Sequence, residues 1–274
     1  MTYQEACKYL GQEPRTSPLS GRVTMGKPAW EPRACPSPGD LWREKARRLV
    51  GDAVYYLWSP PGQAVVRFLQ EVKGLAQDTI KRFSLGWLPR DQWDARTAWG
   101  LVEVLKENGQ PKRLWLPVGL VIPLIHGGQV ERVRIRRPEG DPRYYLLSGS
   151  STRAVVIYNR QPVTLLVESE LDAMLLQQEA GDLANVVALG NAQARPDREA
   201  AALLNRTRLI LVSLDADQAG AKEAWHWWST QFPQARRWPP IQGKDPGEMF
   251  QAGVNLRAWV RAGLAEYAAG PSWP

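Results

Sequence analysis

Cysteine and histidine are scarce in this 274-residue chain, which has Cys7 and Cys35, His126 and His226, and no CxxC pair. Ligands so few and so scattered exclude a zinc finger or ribbon within the chain, so no zinc site is expected, and two cysteines cannot build a disulfide framework. No uninterrupted apolar stretch approaches the roughly 20 residues that span a bilayer. The opening MTYQEACKYL has neither the basic nor the apolar region of a signal peptide. A cytoplasmic protein with no membrane contact is expected. No internal repeat is visible.

The chain is 44% apolar and 23% charged, the balance of a soluble globular protein with a real core. Its charge is uneven. Residues 1–160 carry 25 Lys+Arg against 15 Asp+Glu, whereas residues 161–274 carry 10 against 13. A basic front and a mildly acidic back suit a protein that holds a polyanion on one side and metal on the other. A net charge of +7 would also serve solubility alone.

Three stretches differ in character. Residues 1–39 hold six prolines and four glycines within 11–39, which denies them a helix or central strand and predicts an extended arm or linker. In residues 40–160 apolar positions first recur at helical spacing from Leu41 to Val54, with Asp40 expected as N-cap. Strand-like GLVIPLI, GQVERVRIRR and RAVVIYN follow. From residue 161 to 274 short apolar strands (PVTLLVE, ANVVALG, RLILVSLD) alternate with helices, which predicts a parallel sheet covered on both faces. The fold class is therefore α/β, with a basic α+β subdomain ahead of the parallel sheet.

Ligands of such a sheet gather beyond the carboxyl ends of its strands. Glu168 ends the first strand there, and Asp215 and Asp217 end the third. Crowded carboxylates repel each other and call for a cation, and oxygen ligands alone favour Mg²⁺ or Mn²⁺ over zinc. Gly220 permits a tight turn into the following helix. A lone DxD is as well read as a helix N-cap, with Asp217 capping QAGAKEAW.

The ordered series ESELDA, LDADQAG and GKDPGEMF resembles the signature of the Toprim family, with Ser169 where that family usually has glycine. The resemblance implies that Glu168, Asp215, Asp217 and Asp245 hold catalytic metal, with Asp172 as the second acidic residue of the first motif. The flanks narrow it. GKDPGEMF, the upstream GLAQDTIKRFSLGWLP and the basic GLVIPLIHGGQVERVRIRR together resemble the catalytic core of DnaG-type primases and their phage or mobile-element relatives, over roughly residues 40–250. Even MTYQEACKYLG is similar to the helix that ends the zinc-binding domain of those proteins. The implied activity is metal-dependent synthesis of short RNA primers on single-stranded DNA from nucleoside triphosphates. A replicative helicase and a zinc-binding module in cis or trans are the further partners this implies, although a helicase-contacting domain is not evident after residue 255.

Arg132, Arg134 and Arg136 alternate on a strand and share one side, so with Arg137 and Arg143 they are candidates for a template or nucleotide groove. Arginines on a solvated edge strand would look the same. Lys244 could neutralise a triphosphate or pair with a carboxylate. Of the 13 tryptophans, those of WHWW (225–228) are expected to pack against the sheet rather than stack on bases. Two competing readings use the same residues: a Toprim nuclease that activates water, and a nucleic-acid-binding module without activity. A topoisomerase would need a tyrosine nucleophile, and none of the tyrosines stands in a convincing context for one.

Overall fold

The computed structural model describes residues 30–191, 193–214 and 221–268. Contacts divide the chain into Met1–Glu31, of which only Trp30 and Glu31 are described, and Pro32–Pro274, which holds every helix and strand of the described residues. Asp215, Asp217 and Gly220 lie outside the described residues, as do residues 1–29 of the expected arm. Residues 30–39 form neither helix nor strand.

The second unit opens with α1 (Asp40–Trp58), whose buried stripe is Trp42, Ala46, Leu49, Val50, Ala53 and Leu57. Asp40 is not the cap expected of it. Gly39 occupies the N-cap, and Asp40 stands in the first turn, where its carboxylate still meets the positive end of the helix dipole. Two short helices follow, α2 (Gln63–Arg67) and α3 (Gln77–Arg82). Between them a π-helical turn, Phe68–Val72, leads to Gly74 with a positive φ of 69°.

The front sheet has the order β1 (Gly86–Leu88), β4 (Gly119–His126), β5 (Gln129–Arg136), β6 (Tyr144–Leu146), all antiparallel. A separate ribbon pairs β2 (Gln92–Asp94) with β3 (Leu114–Leu116). One face of the front sheet packs on α1 through Val121, Val133 and Ile135. On the other face Leu120 and Ile122 join the core that continues into the second sheet. A bulge sorts the residues of β5. Leu124 faces Arg132 and Ile125 faces Val130, so Glu131 is the extra residue. Val130 thereby stays in the α1 core, and buried Glu131 meets Arg43 of α1.

The second sheet has the order β11 (Ala235–Arg237), β10 (Leu209–Ser213), β8 (Val163–Val167), β9 (Asn185–Ala188), β7 (Val155–Ile157). The first four run parallel, and β7 runs antiparallel on the edge. RAVVIYN, grouped with the front half by its sequence position, thus pairs with β9 instead. Every residue of β8, β9 and β10 is buried, the mark of a sheet covered on both faces. Leu165, Val186 and Leu211 meet α4 (Glu170–Ala180) and α8 (Leu256–Ala268) on one side. On the other, Thr164 shares a 2.8 Å hydroxyl contact with Thr207 at the end of α5 (Arg198–Arg206). Buried Trp228 of α6 (Ala221–Gln231) stacks on Phe232, so this tryptophan packs as expected. A short α7 (Pro246–Gln251) precedes α8. Among the described residues no helix is long and apolar enough to cross a membrane.

Two glycines measure how closely α1 sits on the front sheet. A Cβ on Gly86 of β1 would lie 2.6 Å from the backbone of Ala53, whereas one on Gly51 of α1 would meet nothing within 4 Å. Gly86→Ala is therefore expected to destabilise by about 1–3 kcal/mol. Gly51→Ala is expected to stabilise by about 0.5–1 kcal/mol, because it removes a mid-helix glycine at no steric cost. Urea unfolding of the two variants checks both signs.

Candidate active site

The site is built around the turn that follows β8. The strand ends at Val167, and Glu168, Ser169, Glu170 and Asp172 come in the next five residues. Ser169 caps α4: its hydroxyl accepts from the Asp172 backbone N–H at 3.2 Å and donates to Asp172 Oδ2 at 2.7 Å. The serine that stands in place of glycine thus ties the turn down.

Asp172 is buried and faces inward. Its Oδ1 accepts the backbone N–H of Gly247 at 3.1 Å, which brings the start of α7 against the turn. Asp245 caps α7 and accepts from Glu248 N–H through Oδ1 at 2.7 Å. A Cβ on Gly247 would lie 3.0 Å from Asp172 Oδ1 and 3.3 Å from Asp245 Oδ1, so the two carboxylates close on one point. Lys73 Nζ lies 3.9 Å from that same point. The end of the π-helical turn carries Lys73 there, where Gln251 donates to the Val72 carbonyl at 3.1 Å. Lys244 pairs with Glu248 at 3.3 Å. The Lys244 backbone N–H, donated to Glu248, is the main reason that carboxyl is held below the usual range.

The basic strand lies beside this turn. Glu170, 2% exposed, accepts from Arg132 Nη2 at 3.0 Å through Oε1 and from Arg134 Nη1 at 3.0 Å through Oε2, and Arg134 Nη1 also forms an ion pair with Oε1 at 2.9 Å. Arg132 is buried and also donates to the Arg153 carbonyl. Burial lowers its pKa from the ordinary value, opposed by the charge of Glu170. Arg134 reaches the carbonyl of Gly190 at 3.4 Å, and the Gly190 N–H donates to the Glu168 carbonyl at 2.8 Å. Arg136 lies 5.0 Å over the Phe68 ring and interacts with Tyr144. Burial raises the pKa of Tyr144, and the charges of Glu170 and Asp172 act in the same direction.

Arg132, Arg134 and Arg136 thus project toward the acidic turn, with Arg132 enclosed within the protein. Arg137 and Arg143 lie on the loop after β5, where the Arg137 N–H donates to the Arg143 carbonyl at 2.8 Å. The Arg137 guanidinium carbon lies over the Trp115 ring at 4.9 Å, and Trp115 in turn meets Tyr145 edge-on at 5.3 Å. Reading the sequence did not single out Glu170, Lys73, Tyr144 or Gly247. The first was visible as the second carboxylate of ESE; Lys73 had no signal, because its proximity arises from the chain's path. Among the described residues no three His, Cys, Asp or Glu side chains are grouped to hold a metal ion. The carboxylates that are described supply oxygen donors alone, which suits a hard divalent cation.

No family model matches the chain. It is similar to a DNA primase of Synechococcus elongatus, 29% identical over 194 residues, covering 60% of this chain and 27% of that relative. The chain therefore corresponds to about a quarter of the length of the curated relative it matches. Among solved structures it resembles the RNA polymerase domain of Mycobacterium tuberculosis primase DnaG, with a TM-score of 0.60, 18% identity, and 84% of this chain and 87% of that one covered. A DNA primase domain from Pseudomonas aeruginosa gives a TM-score of 0.60 and 21% identity, covering 83% of this chain and 81% of that one. A DnaG primase catalytic domain bound to single-stranded DNA gives 0.55 and 19%, covering 84% and 87%. The fold of this chain is that of the DnaG-type primase catalytic core.

Proposed function

We propose that the chain is the catalytic core of a DNA primase, making short RNA primers on single-stranded DNA. One observation carries this reading: a basic strand and an acidic turn from different sheets are locked side by side through Glu170, and the same turn is tied to the GKDPG segment through Asp172 and Gly247. Template and nucleotide phosphates then have cations next to the carboxylates that would hold metal. In the reaction a nucleotide 3′-hydroxyl attacks the α-phosphate of the next nucleotide; one P–O bond forms, another breaks, and pyrophosphate leaves.

In this reading Asp215, Asp217, Asp245 and Glu168 hold Mg²⁺ or Mn²⁺, with Glu168 either in the metal shell or receiving the hydroxyl proton. When bound, the cation supplies neutralisation of the triphosphate and of charge that develops in the transition state. Asp172 acts from behind, holding Gly247 and so the start of α7. Arg134, Arg136 and Lys244 face nucleotide phosphates. Arg137, held over the Trp115 ring, and Arg143 follow the template, where a cation beside an indole suits unpaired bases. The working environment is the cytoplasm, with template DNA, nucleoside triphosphates, a replicative helicase and a zinc-binding module as partners.

The test supplies circular single-stranded DNA, labelled ribonucleotides and Mg²⁺ or Mn²⁺, with a zinc-binding module added in a parallel reaction. Short labelled RNA is expected, and Asp215→Ala should lower its yield about a hundredfold to a thousandfold. Cutting of the DNA without synthesis would replace this reading with a nuclease. Gly247→Ala should lower the synthesis rate by about ten- to a hundredfold by displacing the Asp172 and Asp245 carboxylates, with the melting temperature little changed. Binding of single-stranded DNA should weaken with salt. The double variant Arg137→Ala, Arg143→Ala should flatten the slope of log affinity against log salt by about 0.7 for each phosphate that is no longer neutralised, as measured by fluorescence anisotropy.

A further inference from the structure

The edge strand β7 pairs with β9 on one side and leaves its other side open. The Asn159 N–H, just past the strand, donates to Asn185 Oδ1 of β9 at 2.9 Å. Main-chain groups alternate in direction along a strand, so Val155 and Ile157 bond toward β9, while Val156 and Tyr158 turn their N–H and C=O outward. Ala154 belongs to the outward set, and its N–H meets Asp197 Oδ2, at the N-cap of α5, at 2.6 Å. Among the described residues nothing pairs with the outward groups of Val156 and Tyr158. The stretch AVVIY (154–158) has no charge, proline or glycine, and so lacks the usual guards of an exposed edge.

Val156 and Tyr158 also face α5, and between them and Ala202, Leu203 and Arg206 of that helix lies a groove of about 300 Å³. Tyr158 is 64% exposed. Because β7 runs against β9, Tyr158 lies toward the amino end of β9, the end of the sheet opposite the acidic turn. The groove carries a surplus of positive charge. Its one lining acid, Glu199, is paired with Arg153. Arg206 lines it, and Arg160 and Arg208 follow or precede its lining residues Gln161 and Thr207 in the chain; all three arginines are exposed and form no ion pair among the described residues. We propose that this groove docks an extended acidic segment of a partner protein, which adds as a strand to Val156 and Tyr158, sets an apolar side chain between β7 and α5, and brings carboxylates to Arg206 and its neighbours. Outward N–H and C=O groups in alternation match another main chain, which a sugar–phosphate backbone does not offer. A second copy of this chain would bring the same positive surplus to the contact, whereas an acidic segment neutralises it. The docking site shares no residue with the primase site, so it stands or falls separately from that reading.

The test selects from a displayed library of random decapeptides on the immobilised full chain, then titrates the most enriched peptide, fluorescently labelled, into wild type and two variants. Arg206→Glu reverses the groove's charge, and Ala202→Trp fills the groove from an exposed position of α5, so neither disturbs the core. Enriched peptides should combine Asp or Glu with apolar residues at alternate positions, and each variant should weaken the labelled peptide about tenfold. Melting temperature and affinity for single-stranded DNA should stay as in wild type. Hydrogen exchange read by NMR should slow at the Val156 and Tyr158 N–H groups when the peptide is added, a signature of strand addition that binding elsewhere would not give. The proposal falls if no peptide is enriched, if the peptide binds both variants as it binds wild type, or if exchange at those two amides is unchanged. It falls equally if Arg206→Glu loses single-stranded DNA instead, which would make the groove a nucleic-acid track, or abolishes a dimer seen by sedimentation, which would assign the edge to a second copy. Every readout is binding, so a chain that makes no primers but holds the peptide in this groove overturns the primase reading alone.

Discussion

Glu170 is a carboxylate with almost no access to water on which two arginines of a different sheet converge, and the relation of the two sheets depends on it. Burying Glu170 and Arg132 is costly, and attraction among the charges offsets that cost only when geometry is good and the remaining donors are satisfied. Here Glu170 Oε1 accepts from Arg132 and Oε2 from Arg134, whose Nη1 also pairs with Oε1, and Arg132 gives a further bond to a main-chain carbonyl, leaving its Nε as an orphan. Removal of Glu170 alone would leave the buried Arg132 cation facing the partly exposed Arg134. The charged cluster thus adds little net stability over an apolar joint, but it admits one register between β5 and the turn after β8.

That register depends in turn on the bulge at Glu131. Without the extra residue, Val130 would change faces, and either the α1 core or the arginine row would be broken. With it, Val130 and Glu131 both serve the α1 side while Arg132, Arg134 and Arg136 project to the other. The turn after β8 is equally economical: Ser169 caps the helix, Glu170 holds the basic strand and Asp172 holds α7. Three successive constraints on five residues leave the backbone at Glu168 little freedom.

Much of this was legible in the sequence, and the parts that were not share a cause. The buried strands PVTLLVE, ANVVALG and RLILVSLD were clear because runs of Val, Ile and Leu between helices admit few other readings, and their parallel pairing followed. The alternation of Arg132, Arg134 and Arg136 fixed a shared side. What that side meets was hidden, since Glu170 is 36 to 38 residues away from them along the chain and a charged residue in an apolar helix start looks like a first-turn acid. The edge strand Val155–Ile157 was misplaced for a similar reason: strand pairing is non-local, and nothing in RAVVIYN names its neighbour. Asp40 shows the limit of local rules, because a good capping residue beside a permissive glycine can settle one position further in.

The balance of charge along the chain takes on a different meaning once the pairs are known. The formal excess of the front half suggests a broad positive field, yet Arg43, Arg132 and Arg153 are committed to Glu131, Glu170 and Glu199. The other arginines of β5 and the loop after it are individually held: Arg134 by a carboxylate, Arg136 by the Phe68 ring, Arg137 by the Trp115 ring. A guanidinium held over an aromatic ring keeps its charge while it loses little further freedom on meeting a phosphate. Pre-organisation of this kind raises affinity per contact and fixes where each phosphate sits. In template-directed synthesis placement is a large part of the chemistry, so a few restrained cations beside an acidic turn serve it better than a diffuse basic surface would.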